Sequence, residues 1–438
     1  MKKTLIALGV LAALPSLALS AEVSIYGKVD VGLAFVNVDP GVDGQDSWSN
    51  LSMQSGQTAG SRVGMTGFEE LGNGHKVGFI LENGFNVDNG AMGQGGKIFG
   101  RQALLYLDGP YGNIKFGKMG ALTSGYPSTG LFGGNMSPFA VGLGEVAGHR
   151  YLYSSEDLLP LDNTITYASP SWAGWQFLLQ YSMGMNSSIE GSVENESSID
   201  RYMAAGIRFD NKNTEFNLVV DSTNFRSYGP QKYDDDPDDG VRVTVGVRHG
   251  LGFMTLYAGG QYFKDSRSFA QEANQFYKAI GSHDNPYTGT LGKVEPFLSN
   301  AFGKDGWALN LGLDYPALGG TWKAQAGYMD AERSDDSSQK MKRWFVSGGY
   351  WYDFSKRTTL YSGISFIQDK LEGGVYDQFD DANAKIQARI DAGETELKLA
   401  TKSLILMGIT SSKTAELARN EKAVRLSRSY GLFSMKKT

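Results

Sequence analysis

The chain has 438 residues, among them 57 glycines, 52 aromatic residues (7 Trp, 22 Tyr and 23 Phe) and no cysteine, and its formal net charge is −6. Its mean hydropathy of −0.29 and the lack of an apolar run of 18 residues exclude a helical membrane span. Without cysteine there is no disulfide framework, thiolate nucleophile or thiolate metal site. An acidic balance with scattered lysine and arginine argues against a nucleic-acid partner. The composition favours a glycine-rich all-β chain.

The first 21 residues have the pattern of a secretory signal. Lys2 and Lys3 precede an apolar stretch that ends at Pro15, and small residues follow at Ser20 and Ala21. This pattern predicts a signal peptide over 1–20, with cleavage after Ser20 or Ala21. Cleavage leaves 39 basic and 47 acidic residues, a net charge of −8.

Apolar and polar residues alternate with a period of two along the rest of the chain. In the first segment Val23, Ile25, Val29, Val31 and Leu33 fall on one face, and the residues between them are mostly polar. The same alternation recurs in segments near 77–82, 175–182, 215–221, 241–248, 307–315 and 322–328. Period two predicts strands with one apolar and one polar face.

Two features indicate that the apolar faces lie against a bilayer. Many of these faces end in Trp, Tyr or Phe, as the girdles of a membrane barrel do. Tight turns at 71–75, 170–174, 211–213 and 316–320 alternate with long polar loops. We count 16 segments and predict one domain, a transmembrane β-barrel over 21–438.

Long loops are predicted at about 38–60, 119–149, 265–305 and 370–427. Structureless loops of this length are unusual inside a compact soluble domain, whereas a barrel rim in water tolerates them. The stretch 380–399 has helical spacing and is expected to form a helix on or over the barrel mouth.

Several stretches resemble the general porins of Gram-negative bacteria, in particular the trimeric porins of beta-proteobacteria. They are VSIYGKVDVG, GSRVGMTGFEELGNGHKVGFILENGF, IFGRQALLYLDGPYGNIKFGK, NTITYASPSWAGWQFLLQYSMG and DFSKRTTLYSGISF, which resemble strands 1, 2–3, 4–5, 6–7 and 14–15 of that family. The matches occur in the family's order along the chain.

The resemblance implies a 16-stranded antiparallel barrel in the outer membrane, with three copies associating and a third extracellular loop that folds inward. It also implies passive diffusion of small hydrophilic solutes and ions, without a catalytic step or a cofactor. The expected partners are outer-membrane lipid, lipopolysaccharide, two further copies of the chain and the solutes in transit.

The chain departs from the family pattern in two places. Relatives end in an aromatic residue, whereas this chain ends at Thr438. The sixteenth strand is therefore assigned to 428–437, with 402–408 as the alternative. At Thr66, where relatives often carry a second wall arginine, the basic cluster is expected to be smaller.

Charged side chains at the narrowest point of a pore set its ion selectivity. Arg62 lies opposite Val63 and Met65 in the alternation, which predicts a lumen position, and it matches the family's constriction-wall arginine. Arg101 is assigned to the constriction on its motif alone, because both faces of its strand are apolar. Arg150 is a third candidate.

The inward loop over 119–149 contains one acid, Glu145. Lys28 is an additional basic lumen candidate and Glu82 an acidic one. Further basic candidates are Lys76, Arg242 and Arg248, which Asp30, Asp221 and Asp314 offset. A basic wall opposite a nearly uncharged loop predicts a weak preference for anions.

The four histidines are His75, His149, His249 and His283, and no pair has the spacing of a helical zinc site. No nucleophile motif or paired-acid signature is evident, so neither an enzyme nor a metal site is expected. Two other functions stay open: a substrate-selective channel, and an adhesin or structural barrel without conductance.

Overall fold

Seventeen strands and one short 3₁₀ helix form the regular structure of the residues that are described. The computed structural model describes residues 22–39, 47–132, 136–140, 153, 160–186, 199–226, 238–267, 303–372 and 397–416. The strands are β1 (Glu22–Asp39), β2 (Trp48–Ser55), β3 (Arg62–Gly72), β4 (His75–Gly84), β5 (Gln102–Gly109), β6 (Gly112–Met119), β7 (Leu161–Ala168), β8 (Trp175–Ser182), β9 (Arg201–Asp210), β10 (Thr214–Asn224), β11 (Gly240–Gly250), β12 (Thr255–Ser266), β13 (Lys304–Ala317), β14 (Gly320–Arg333), β15 (Lys340–Ser355), β16 (Thr358–Glu372) and β17 (Leu397–Glu416), and the 3₁₀ helix is Gln94–Gly96.

The strands form one closed antiparallel sheet. From β3 to β17 each strand pairs with the next, and β17 pairs in turn with β1. On its other side β1 pairs with β3 through Glu22–Lys28 and with β2 through Val31–Val38. Therefore β2 and β3 share one position in the barrel, and the predicted 16-stranded architecture is confirmed.

The break between β2 and β3, residues 56–61, is built around the buried Asp30. One Asp30 carboxylate oxygen accepts hydrogen bonds from the Thr58 amide (2.9 Å), the Ala59 amide (3.0 Å) and the Thr58 hydroxyl. The other oxygen accepts a hydrogen bond from the Tyr361 hydroxyl at 2.6 Å. The carboxylate thus satisfies backbone donors that the interrupted strand cannot offer to a neighbour.

Replacement of Asp30 by alanine is expected to destabilise the barrel by about 3 kcal/mol, because hydrogen bonds to a charged group contribute about 1.5–3 kcal/mol each. Urea unfolding of the detergent-solubilised protein, followed by tryptophan fluorescence, measures this change. The control is Asp239→Ala, which removes an exposed hydrogen bond with Asn224. Equal stability of the two variants would show that the break does not depend on Asp30.

The two faces of the sheet have opposite character. On β13, Leu309 and Leu311 are 55% and 69% exposed, whereas Ala308 and Asn310 are buried. The predicted alternation places Ile25, Val29 and the other apolar residues outward in the same way along the barrel. An exposed apolar wall around a polar interior is the arrangement of a barrel in lipid.

Aromatic side chains form two rows on this outer wall. Near the short turns, Trp322 lies 4.9 Å from Tyr350 and Tyr315 is exposed. Toward the other rim, Trp307 lies 5.5 Å from Tyr328. Trp307 and Tyr315 are eight residues apart on β13, about 26 Å along the strand. At a strand tilt of about 40° this is a height of about 20 Å, close to that of an apolar band about 25 Å tall.

Several sequence predictions about loops require correction. Ten of the 23 residues of the predicted loop 38–60 are strand, because β1 continues to Asp39 and β2 pairs with Val31–Val38 of β1. The predicted loop 370–427 contains β17. After 119 the connection continues to Leu161, beyond the predicted end at 149.

The choice of 428–437 as the sixteenth strand was wrong, and the alternative, 402–408, is part of β17. A register shift leaves Leu406 without a partner on β1, so a bulge interrupts the alternation that would have revealed this strand. Residues 428–437, the signal segment 1–20 and 380–396 of the predicted helix lie outside the described residues, and 397–399 belong to β17. Within the described ranges, no helix is long and apolar enough to cross a membrane.

Candidate functional site

The connection between β6 and β7 enters the barrel and follows its inner wall. Gln180 on β8 donates to the Gly120 carbonyl at 3.0 Å and accepts from the Leu122 amide at 2.9 Å. Asn217 on β10 donates to the Leu131 carbonyl at 2.6 Å. Wall side chains therefore supply the hydrogen bonds that the loop backbone needs inside the barrel.

Residues 136–140 continue along the wall. Ser137 donates to the Gln325 side-chain oxygen at 2.8 Å, and the Phe139 ring lies 5.5 Å from that of Trp351. Leu122, Leu131, Phe132 and Met136 bury their side chains with wall residues that include Tyr202 and Val219. The loop thus covers the wall from β8 to β15, where the inner face carries both apolar and hydrogen-bonding side chains.

Glycines in the wall make this close approach possible. A β-carbon at Gly246 on β11 would lie 2.6 Å from Met136 Cγ and 2.9 Å from the Phe132 ring. At Gly312 on β13 a β-carbon would lie 2.6 Å from Pro138 Cδ. Any larger side chain at these two positions must displace the loop or the wall.

A basic cluster, defined here as Lys28, Arg62 and Arg101, lies on the wall formed by β1, β3 and the start of β5. Lys28 is directly opposite Arg62 in the β1–β3 register. Arg101 Nε lies 2.6 Å from the Glu82 carboxylate, and Arg62 Nη1 lies 4.0 Å from the same oxygen. Glu82 therefore brings two of the three predicted arginines together, and Lys28 lies opposite one of them.

Tyr26 completes the surroundings of Glu82. Its hydroxyl donates to Glu82 Oε2 at 2.7 Å, although β3 separates their strands. The tyrosine can cross β3 because Gly64 stands between them; a β-carbon there would be 2.6 Å from the Tyr26 hydroxyl. The single carboxylate of Glu82 is thus shared among Tyr26, Arg101 and Arg62.

Arg101 lies in a bend one residue before β5. Because it precedes the strand, the alternation of β5 does not determine which way its side chain points. The parity of β5 places Gln102, Leu104 and Tyr106 inward, yet Arg101 is itself only 8% exposed. Its guanidinium lies 4.9 Å from the centre of the Tyr126 ring on the inward loop. Arg101 therefore joins the basic cluster to that loop.

The charges of this wall do not cancel. Three cations, Lys28, Arg62 and Arg101, lie near two acids: Glu82, which pairs with the two arginines, and Asp30, which also accepts hydrogen bonds from the 56–61 segment and from Tyr361. One positive charge is therefore in excess. The described loop residues 120–132, 136–140 and 153 contain no charged side chain. Two predicted constriction residues, Glu145 and Arg150, lie outside the described residues.

The other basic lumen candidates are paired with acids. Arg242 lies 2.7 Å from Asp221, with both side chains buried. Arg248 lies 3.1 Å from Glu215, and Lys76 lies 3.1 Å from Glu70. Each of these three basic side chains therefore has an acidic partner of its own.

No metal-binding geometry is found among the described residues. They contain no group of three or more His, Asp or Glu side chains placed to hold a metal ion. His249 hydrogen-bonds Thr214 at 2.8 Å at the short-turn rim. His149 and His283 lie outside the described ranges.

Comparison with known proteins decides the family. The family model described as Gram-negative porin matches residues 7–371. The chain belongs to this family. Membership places the porin in the outer membrane and confirms the resemblance seen in the sequence.

The porin is similar to two curated outer-membrane porins over most of its length. It is 30% identical to one from Bordetella pertussis over 389 residues, 84% of this chain and 95% of the relative. It is 26% identical to outer membrane porin protein 32 of Delftia acidovorans, over 84% of this chain and 90% of that one.

Solved structures have the same fold. An anion-selective porin from Comamonas acidovorans aligns with a TM-score of 0.59 at 21% identity, over 90% of this chain and 100% of that chain. The trimer form of OmpT from Vibrio cholerae aligns with a TM-score of 0.54 at 14% identity, over 90% and 99%.

Sequence reasoning missed the residues that hold the inward loop. No sequence pattern assigned a role to Gln180, Asn217 or Tyr126. Their one sequence signal is a side chain with both donor and acceptor atoms at an inward position. Such a side chain can be recognised as a contact to the loop only when the path of the loop is known.

Proposed function

We propose that this porin forms a water-filled channel with a weak preference for anions. The supporting observation is the basic cluster, in which Arg62 and Arg101 share the carboxylate of Glu82 and Lys28 lies opposite Arg62 in the strand register. The anion-selective porin from Comamonas acidovorans, similar in fold, is consistent with this preference.

The preference follows from the electrostatics of a narrow aqueous passage. A unit charge 4 Å from another interacts with it by about 1 kcal/mol in bulk water and more strongly where the surroundings are less polar. The net positive charge at the passage therefore raises the local anion concentration and lowers that of cations. The described loop residues carry no charge that would offset this field.

Reversal potentials across a planar bilayer under a KCl gradient test the proposal. We expect a higher permeability for Cl⁻ than for K⁺ at about 0.1 M salt, where the Debye length is about 10 Å. The preference should weaken toward 1 M, where the Debye length is about 3 Å. Cation selectivity at low salt would contradict the anion preference, and absence of conductance would contradict the channel itself.

The proposal extends to assembly and export. The porin works as a homotrimer in contact with outer-membrane lipid and lipopolysaccharide. Residues 1–20 are removed during export. Solutes pass through the channel without a catalytic step. Mass measurement of the detergent-solubilised protein tests the trimer, and N-terminal sequencing tests the cleavage.

A further inference from the structure

One wall residue, Asn310 on β13, contacts both the outgoing and the returning part of the inward loop. Its side-chain nitrogen donates to the Met136 carbonyl at 2.7 Å. Its side-chain oxygen accepts a hydrogen bond from the Tyr153 hydroxyl. A single buried amide therefore joins two segments of the loop that are 17 residues apart in the sequence.

A second wall residue, Lys323 on β14, holds the loop two residues farther on. Its ammonium group donates to the Pro138 carbonyl at 2.7 Å and to the two oxygens of Asp314 at 3.0 and 3.1 Å. Asp314 in turn accepts a hydrogen bond from the Tyr257 hydroxyl at 2.9 Å. The lysine is thus oriented by the wall while it binds the loop.

These contacts concern a loop that has little regular structure of its own here. The described residues 136–140 and 153 contain no helix or strand. A segment without its own backbone ladder depends on such side-chain bonds for a fixed position. Each bond made inside the barrel contributes about 0.5–1.5 kcal/mol, or about 1.5–3 kcal/mol where a charge takes part.

We infer that Asn310 and Lys323 are positioning residues for the constriction: they hold the inward loop against the wall and thereby fix the width of the aqueous passage. Asn310 joins the outgoing and returning segments, and Lys323 fixes the outgoing segment. Neither residue belongs to the basic cluster, so they govern the width of the passage separately from the charge that sets ion preference.

Single-channel recording of Asn310→Leu tests this inference. Leucine has a similar size but makes neither hydrogen bond, so the loop should occupy several positions. We expect a broad distribution of conductance levels and closure at lower voltage than in the unmodified porin. Tyr153→Phe removes only the bond to the returning segment and should give an intermediate broadening, while Asn310→Leu combined with Lys323→Met should give the largest.

Control variants separate positioning of the loop from general weakening of the barrel. Ser347→Ala removes a buried hydrogen bond of 2.8 Å to Ser365 between two wall strands, and Lys76→Met removes a lysine whose partner, Glu70, is also on the wall. Both should keep a single conductance level. Heat stability of the assembled protein, measured in parallel, should be similar in Ser347→Ala and Asn310→Leu.

The inference rests on conduction by the unmodified porin, which is measured first. A single narrow conductance level for Asn310→Leu, with a normal closing voltage, would overturn the inference and leave the proposed function standing. An equally broad distribution of conductance levels in Ser347→Ala would also overturn the inference, because loss of any hydrogen bond in the wall would then have the same effect. An unmodified protein without conductance would overturn the proposed function instead.

Discussion

Replacement of Arg62 by glutamate should convert the pore from anion to cation preference. The change reverses one of the three charges of the basic cluster and places a new acid beside Glu82. At 4 Å a permeating Cl⁻ gains about 1 kcal/mol from one positive charge in water, so reversal of that charge changes its energy by about 2 kcal/mol. Since about 1.4 kcal/mol corresponds to a tenfold change, the Cl⁻ to K⁺ permeability ratio should fall by about tenfold or more.

The reversal potential under a KCl gradient at about 0.1 M measures this shift. Arg357→Glu is the matched control, because it makes the same change of charge at an exposed turn between β15 and β16. We expect a small shift for the control and a shift for Arg62→Glu that shrinks as salt rises. Equal shifts in the two variants would mean that total charge, not the basic cluster, sets the preference.

A valine at Gly246 should move the inward loop away from the wall. Its β-carbon would already lie 2.6 Å from Met136 Cγ and 2.9 Å from the Phe132 ring, and two more carbons would follow. Overpacking of this kind lowers the free energy of unfolding by about 1–3 kcal/mol if nothing moves to relieve it. Because β11 is hydrogen-bonded on both sides, the loop should shift rather than the wall.

Single-channel conductance should therefore change by more than the width of the unmodified distribution. Gly348→Val provides the control, since it adds the same side chain on the outer face of β15, where the nearest atom to a β-carbon is 3.8 Å away. The control should conduct normally. Normal conductance of Gly246→Val would show that the loop does not rest on this part of the wall.

Much of the barrel was predictable because alternation is a local property. Outward Val29 and inward Asp30 are distinguished by their neighbours alone, and the short turn between Gly72 and His75 is visible as a glycine-rich break. The inward position of Arg62 followed from the same rule.

The rest depends on contacts that a local pattern does not contain. The closing strand was misplaced because the bulge at Leu406 interrupts its alternation, and β2 was read as loop because its sequence, WSNLSMQS, is rich in polar residues. The alternation of apolar and polar residues could not assign Arg101 to a face of the sheet, because Arg101 precedes its strand. The roles of Asn310 and Lys323 depend on a loop from a distant part of the sequence, and no pattern within β13 or β14 indicates them.

Closure of the sheet by β1 and β17 makes assembly an all-or-none event. Ser24 lies opposite Glu416, so the first strand obtains its second neighbour only after almost the whole chain has been delivered. Until then two open edges expose unpaired amide and carbonyl groups, which hydrocarbon does not tolerate. Contacts so distant in sequence also form slowly. An incomplete chain that stops before Leu397 would thus have no stable place in the bilayer, and the cell must protect the unfinished barrel from lipid until its last strand arrives.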